Sequence, residues 1–230
     1  MIFSSKPQKF TWRNFFILLF LISAGGFLVW QLIPERSWFG SQTDWYSQHM
    51  TIADYMRKNF YATGQLFPDF TGLGGGTNFF SLSYYGFMRP DVLISYFFPQ
   101  VPVAYFIQGY AILEILFGAG LIYYWLHRKG FSDFTGFSCG FLYLTANCFF
   151  QAHRQIMFVN YMPFLILAFL CLDQILAVQK EPAYCIRPHM GLVLSLFFCI
   201  LHSFYFFPSC FVACILYIDH LLPDFLKRTN

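Results

Sequence analysis

The chain has 230 residues, of which 57% are hydrophobic and only 11% are charged, and its mean hydropathy is +0.52. Soluble domains carry about 25% charged residues, and a soluble core of this size could not bury so much apolar surface. The formal net charge of +3 is too small to indicate a nucleic-acid-binding protein. We therefore predict an all-α fold, a polytopic transmembrane helix bundle.

Apolar runs long enough to cross a membrane recur along the chain, since one span needs about twenty such residues. The first follows a basic flank and is too long for the core of a signal peptide, so it is predicted to be an uncleaved span. The predicted spans, about six in all, cover 14–33, 102–126, 133–150 and 156–177, and two more share 189–222 with a break at about 203–208. The apolar piece at 91–99 is too short to span and is predicted to be interfacial or re-entrant.

Lysine and arginine favour one orientation of these spans. With the N-terminus in the cytoplasm, the inner side holds Lys6, Lys9, Arg13, Arg128, Lys129, Lys180, Arg187, Lys227 and Arg228, and the outer side holds Arg36, Arg57, Lys58, Arg89 and Arg154. We therefore predict a multi-pass protein of the cell membrane. Its parts are a cytoplasmic N-terminus at 1–13, a first transmembrane helix at 14–33, an outer loop at 34–101, the remaining transmembrane helices at 102–222 and a cytoplasmic end at 223–230.

The seven cysteines form no C-x-x-C pair, and all but Cys185 lie in apolar runs. Cysteine in such runs behaves as a small hydrophobic residue. We therefore expect neither a disulfide framework nor a cysteine metal site.

The outer loop is the longest loop of the predicted topology, and long loops in compact proteins are usually functional. Apolar residues recur at nearly helical spacing over 44–60. This pattern predicts an interfacial helix on the membrane surface, beginning at Asp44, with Gln48, Asp54 and Arg57 on its polar side.

Asp44 has two interpretations. After Ser41-Gln42-Thr43 it is a good candidate for a helix N-cap. A carboxylate at a water-accessible and partly desolvated surface also suits a general base for an acceptor hydroxyl, or a ligand for a divalent cation.

A glycine-rich segment at 72–78 follows this helix. Its four glycines in five residues permit positive φ angles and close backbone approach. It does not lie between a strand and a helix, so a nucleotide-binding loop is not indicated. The alternatives are a flexible loop tip and a substrate-binding loop that faces Asp44. On the second alternative, the candidate substrate-binding residues are Gln48, Gly74, Gly75, Asn78 and Tyr84.

Three further residues are candidates beyond the outer loop. Arg154 is the only predicted outer Lys or Arg outside it, and either holds a phosphate of a lipid carrier or extends towards the lipid headgroups. Glu114 lies in the middle of the second span, where an ionisable residue is a functional candidate by default. The alternative is a neutral residue that hydrogen-bonds between helices. His202, near the outer end of the fifth span, is expected to serve packing or hydrogen bonding.

The order of these features resembles the YfhO-like bacterial membrane proteins, which are polytopic glycosyltransferases of the GT-C class. The resemblance is carried by Thr43-Asp44 with Gln48 four residues on, by the glycine segment 72–78, by Ser83-Tyr84-Tyr85, and by a segment containing Pro90 and ending Phe97-Phe98-Pro99. A weaker similarity covers 154–156 and 161–165, so that the match extends over about residues 10–222.

The resemblance implies a GT-C-like bundle that transfers a sugar from a polyprenyl-phosphate donor to a cell-envelope polymer, such as lipoteichoic acid, on the outer face. It implies that Asp44 is the essential acidic residue of the first outer loop, and Arg154 would then hold the donor phosphate. This sequence differs in having Arg89-Pro90 where family members often have Ser-Pro. It also ends after about six predicted spans, whereas relatives are several times longer, so we expect it to be the N-terminal part of a longer enzyme.

Two other functions remain open from the sequence. A transporter or flippase of a lipid-linked intermediate predicts inverted repeats and charged residues at mid-membrane, but the chain has no recognisable repeat and only Glu114 at that depth. A truncated protein that only inserts into the membrane is the third.

Overall fold

The computed structural model is mostly helical and describes residues 9–33, 40, 44–72, 75–86, 88–155, 158–178 and 186–229. The α-helices in these ranges are α1 (Trp12–Leu32), α2 (Thr51–Thr63), α3 (Pro90–Ser95), α4 (Val103–Arg128), α5 (Asp133–Thr145), α6 (Asn147–His153), α7 (Met162–Val178), α8 (Ile186–His202) and α9 (Phe207–Thr229). The remaining elements are a π-helix at Trp45–Met50, a 3₁₀-helix at Phe79–Tyr85, and the antiparallel strands β1 (Phe70–Thr71) and β2 (Thr77–Asn78). The predicted all-α class is confirmed for these ranges.

Two of the described helices are long and apolar enough to cross a membrane, namely Trp12–Gln31 within α1 and the whole of α4. Shorter apolar helices cover Met162–Ala177, Ile186–His202 and Phe207–Leu221. A helix of 17 residues is about 25 Å long, somewhat less than the roughly 30 Å of a bilayer's hydrocarbon core.

The predicted span at 133–150 is not one helix. α5 ends at Thr145, Ala146 has an extended ψ of 113°, and α6 then begins at Asn147. The Thr145 hydroxyl donates to the carbonyl of Phe141, and such side-chain bonds to the backbone compete with continuation of the helical ladder. The break expected at about 203–208 lies between α8 and α9.

Helix α4 is the centre of the packing, with α1, α5 and α7 against it. Leu21, Ile115, Ala119 and Tyr143 form part of the buried apolar core between α1, α4 and α5. Small residues let α4 and α5 approach closely, since a Cβ on Gly140 would lie 2.9 Å from the carbonyl oxygen of Ala119.

A polar clamp joins these helices where α4 ends. The buried amide of Asn14 donates to the Tyr123 hydroxyl at 2.9 Å and to the Asp133 carboxylate at 2.7 Å. Arg13 pairs with the same carboxylate at 2.6 Å. The start of α1 therefore lies beside the end of α4, and the two helices are antiparallel.

The segment after α1 packs where α4 begins. Trp45 of the π-helix and Ala53 of α2 form a buried cluster with Val92 of α3 and with Val103 and Ile107 of α4. α2 is followed by Gly64, whose φ of 73° is the left-handed conformation that glycine adopts without strain. The helix predicted over 44–60 is thus a π-helical turn followed by α2, and it is attached to α3 and α4.

Arg57 was predicted on the polar side of this helix, and that prediction is wrong. Its side chain is buried and donates to the carbonyl of Val101 at 2.7 Å, with the carbonyls of Ser95 and Phe98 at 3.4 and 3.5 Å. Backbone carbonyls in and just after the last turn of a helix attract a cation. Arg57 therefore fastens α2 to the last residue of α3 and to the turns that follow it.

Candidate functional site

Asp44 stands directly before the π-helix, half-buried, with the helical angles φ −78° and ψ −28°. Its side chain makes no capping hydrogen bond. Its Oδ1 instead accepts from the amide of Gln48 at 3.3 Å. Asp44 thus occupies the N-cap position that the sequence predicts, but its carboxylate makes no capping hydrogen bond there.

The hydrogen bonds that begin at the Asp44 carboxylate continue through Gln48 to a pair of tyrosine side chains. Tyr85 donates its hydroxyl hydrogen to the side-chain carbonyl of Gln48 at 2.7 Å. Burial, together with Tyr84, raises the pKa of Tyr85 to about 12, so this phenol remains a donor at neutral pH. The Tyr84 ring lies 4.3 Å from that of Tyr85 and 5.7 Å from that of Tyr205, which is in the α8–α9 connection. The structure thus brings together three of the predicted site residues, Asp44, Gln48 and Tyr84.

His49 lies behind Asp44 and is almost completely buried. Its ring meets that of Tyr85 edge-on, with centroids 6.0 Å apart. Burial and the positive charge of Arg89 lower the pKa of His49 to about 4, while the charge of Asp44 and the side chain of Gln155 act in the opposite direction. The imidazole is therefore uncharged at neutral pH and lies within the field of both Asp44 and Arg89.

Arg89 is fully buried immediately before α3. Its Nε and Nη2 donate to the two oxygens of Asp91 at 3.0 and 3.1 Å, and Nη2 is 3.7 Å from Oε2 of Glu114. Burial opposes the charge, but the carboxylates of Asp91 and Glu114 hold the pKa of Arg89 above its usual value. In the described part of the chain, its Nη1 has no hydrogen-bond partner.

Glu114 of α4 connects Arg89 to Asn160 and to His202 of α8. Its Oε2 accepts from the amide of Asn160, and its Oε1 lies 3.2 Å from Nε2 of His202. The hydroxyl of Tyr110 is 2.9 Å from the same imidazole nitrogen. We refer to Arg89, Asp91, Glu114, Asn160 and His202 as the buried cluster; each is at most 4% exposed.

The described residues of the glycine segment are attached to α2 rather than to Asp44. Its first backbone amide, at Gly72, donates to the hydroxyl of Tyr55, which is about three helical turns along the chain from Asp44. Gly75 has a φ of 85° and is exposed, and Asn78 is an exposed residue of β2 that accepts from a nearby backbone amide. No hydrogen bond or ion pair among the described residues joins Gly75 or Asn78 to Asp44. The prediction that this loop faces Asp44 is not supported, and Gly74 lies outside the described residues.

Arg154 is at the same end of the bundle as Asp44. Its Nη1 donates to Gln151 at 3.0 Å, and its Nη2 donates to the carbonyl of Gly40. Gly40 lies directly on the ring of Trp45, because a Cβ at this glycine would overlap the indole. Two guanidinium nitrogens thus contact the chain itself, and Arg154 tethers the end of α6 beside the π-helix.

Sequence reasoning did not connect the members of the buried cluster. One usable signal was Arg89-Pro90-Asp91, since proline at the first helical position fixes the start of α3 and puts Asp91 in its first turn. Nothing in the sequence indicates that Asn160, almost fifty residues beyond Glu114, would reach that side chain. In the same described ranges, no group of three or more His, Cys, Asp or Glu residues is arranged to hold a metal ion.

No protein-family model matches the chain, and no curated protein or solved structure matches it. The function must therefore be argued from the residues of the site.

Proposed function

We propose that the chain is a multi-pass protein of the cell membrane whose outer-face site transfers a sugar from a polyprenyl-phosphate donor to a cell-envelope polymer. Asp44 is the catalytic carboxylate of this proposal. The observation that carries it is the half-buried carboxylate itself, which makes no capping hydrogen bond and is oriented by Gln48 beside tyrosine rings.

The exposed side chains of α1 support a membrane location. Trp12 and Trp30, near its two ends, are 79% and 70% exposed, and Phe16, Phe20 and Phe27 between them are also largely exposed. The two tryptophans are about 27 Å apart along a helix, close to the thickness of a hydrocarbon core. Tryptophan favours the two membrane–water interfaces, so lipid is the environment that best suits this surface.

The arrangement of charge supports the orientation. Arg13 contacts the clamp where α4 ends, and Arg128 and Lys129 lie at that same end. Asp44 lies near the beginning of α4, because its neighbour Trp45 packs on Val103. Cytoplasmic ends of membrane helices are enriched in Lys and Arg, and this tendency supports an outer-face position for Asp44.

In the proposed reaction, a hydroxyl of the acceptor attacks the anomeric carbon of the sugar while Asp44 takes the hydroxyl proton. A bond forms between the acceptor oxygen and that carbon, and the bond from carbon to phosphate oxygen breaks. The polyprenyl phosphate leaves with the electron pair. Gln48 fixes the carboxylate, and the rings of Tyr84 and Tyr205 offer faces for a sugar. Arg154, which also contacts Gln151 and Gly40, is the cation that would hold the donor phosphate.

A flippase of a lipid-linked intermediate is the second candidate, and the buried ionisable side chains of Arg89, Asp91 and Glu114 favour it. Proteoliposomes that contain the purified protein, expressed from its own complete gene, separate the two functions. We expect a radiolabelled polyprenyl-phosphate sugar to release polyprenyl phosphate when acceptor polymer is present. Movement of the intact donor between leaflets without its cleavage would contradict the transferase and favour the flippase.

A further inference from the structure

The hydrogen bonds of His202 define which of its nitrogens carries hydrogen. Nδ1 lies 2.7 Å from the carbonyl oxygen of Phe198, and a carbonyl only accepts, so Nδ1 is the donor. In an uncharged imidazole, Nε2 is then an acceptor. This Nε2 faces the hydroxyl of Tyr110 at 2.9 Å and Oε1 of Glu114 at 3.2 Å.

The contact between Glu114 and His202 needs a proton. If Glu114 were ionised and His202 uncharged, Oε1 and Nε2 would be two acceptors facing each other. Oε1 has no hydrogen bond to relieve this conflict in the part of the chain that the structure describes. Both side chains are buried, so bulk water does not screen the contact.

Charge balance in the buried cluster leads to the same conclusion. The charges of Arg89 and Asp91 cancel. One proton shared by Glu114 and His202 leaves that pair with no net charge, whichever residue carries it. Without the proton, the buried cluster has a net charge of −1, and an uncompensated buried charge is strongly unfavourable.

We infer that Glu114 and His202 form a proton-binding site that holds one proton inside the helix packing. The groups facing it are Arg89 and Asp91 at the start of α3, Tyr110 of α4, Tyr143 of α5 and Asn160 before α7. Glu114 is the expected carrier, because an imidazolium at His202 would add another cation beside Arg89 together with a second buried carboxylate charge. The inference does not depend on the proposed transferase activity.

Infrared spectroscopy of the purified protein at about pH 8 tests this site. Exposed carboxyls are ionised and exposed histidines uncharged at that pH. We expect the C=O stretch of a protonated carboxylic acid, absent from Glu114→Gln and retained in Asp54→Asn. Asp54 is a matched control because its carboxylate is partly exposed and pairs with the exposed Lys58.

Nitrogen-15 NMR of histidine-labelled protein at the same pH gives a second readout that needs no variant at Glu114. An imidazolium signal that disappears in His202→Asn would also support one shared proton, located on the imidazole. A spectrum with neither the acid band nor an imidazolium would overturn the site. An acid band that persists in Glu114→Gln, with no imidazolium, would overturn it as well.

Discussion

Gln48 donates from its side-chain amide to the Asp44 carboxylate at 3.3 Å, one helical turn before it. The other end of the same amide accepts from Tyr85 at 2.7 Å. A phenol that donates fixes the carbonyl end of the amide, so its NH₂ group must face Asp44. The direction in which the carboxylate points is therefore set by an aromatic residue almost forty positions further along the chain.

Gln48→Ala removes this orienting contact. A hydrogen bond to a charged group is worth about 1.5–3 kcal/mol, and tenfold corresponds to about 1.4 kcal/mol, so we expect transfer to fall by about tenfold or more. The fall should appear mainly in kcat, measured with saturating donor. Gln65→Ala, on the exposed turn after α2, is the matched control and should retain the parental rate. Equal rates for the two variants would show that Gln48 does not position Asp44.

His49 should make the fold sensitive to acid. Its pKa is about 4 in the folded chain and ordinarily 6.5, so the unfolded chain binds a proton that the folded chain excludes. The stabilisation is complete above pH 6.5 and is lost as the pH falls towards 4, by about 3 kcal/mol in all. Measurements of the free energy of unfolding across this range should show the loss. The loss should be smaller by about that amount in His49→Gln and unchanged in His220→Gln, which replaces an exposed histidine.

Arg57 should contribute to stability through the carbonyls that it binds. Arg57→Met keeps the length of the side chain but leaves the carbonyls of Ser95 and Val101 without this donor. We expect the free energy of unfolding to fall by about 2 kcal/mol, since hydrogen bonds to charged groups contribute about 1.5–3 kcal/mol. Lys58→Met, at the exposed neighbouring position, should change it by less than about 0.5 kcal/mol. Equal effects would argue against the buried role of Arg57.

The sequence predicted the long apolar helices, but it did not predict one of the helix breaks or most of the contacts between helices. Hydropathy placed α1 and α4, because an apolar run of span length is a local signal. It missed the break at Ala146, which depends on the backbone angle of one residue within an apolar run. It placed Arg57 on a polar face because periodicity does not show that the carbonyls in and after a separate short helix lie against that face.

Within the candidate site, the sequence predicts the contact between neighbouring residues of one helix but not the contacts between distant segments. Asp44 and Gln48 are four residues apart on one helix, so their contact follows from helical spacing. The glycine segment was assigned to the same site because it is close in sequence, but its hairpin is attached at Tyr55 instead. The contact between Glu114 and His202 joins α4 to α8, and neither residue type nor spacing in one sequence indicates that pairing.

Membrane orientation can be tested with single cysteines in a background without the native ones. Lys58→Cys, whose parent side chain is 76% exposed on α2, should react with a membrane-impermeant maleimide on intact cells. Arg128→Cys, at the end of α4, should react only after the membrane is opened. These results follow from the positive-inside distribution of Lys and Arg. The reverse labelling pattern would place Asp44 on the cytoplasmic side and remove it from the outer-face reaction.

The most direct test of the proposed function is the rate of sugar transfer by Asp44→Asn. The rate is measured in membranes of cells that express the variant from its own complete gene. Asparagine keeps the size of the side chain and can still bond to Gln48, but it cannot take a proton. General-base catalysis is typically worth about 10²–10⁴-fold in rate, so we expect transfer to fall by that factor at normal membrane abundance. Asp54→Asn should retain most of the activity, because that carboxylate pairs with Lys58 on the surface of α2. Transfer by Asp44→Asn at the parental rate would contradict the assignment of Asp44 as the catalytic carboxylate.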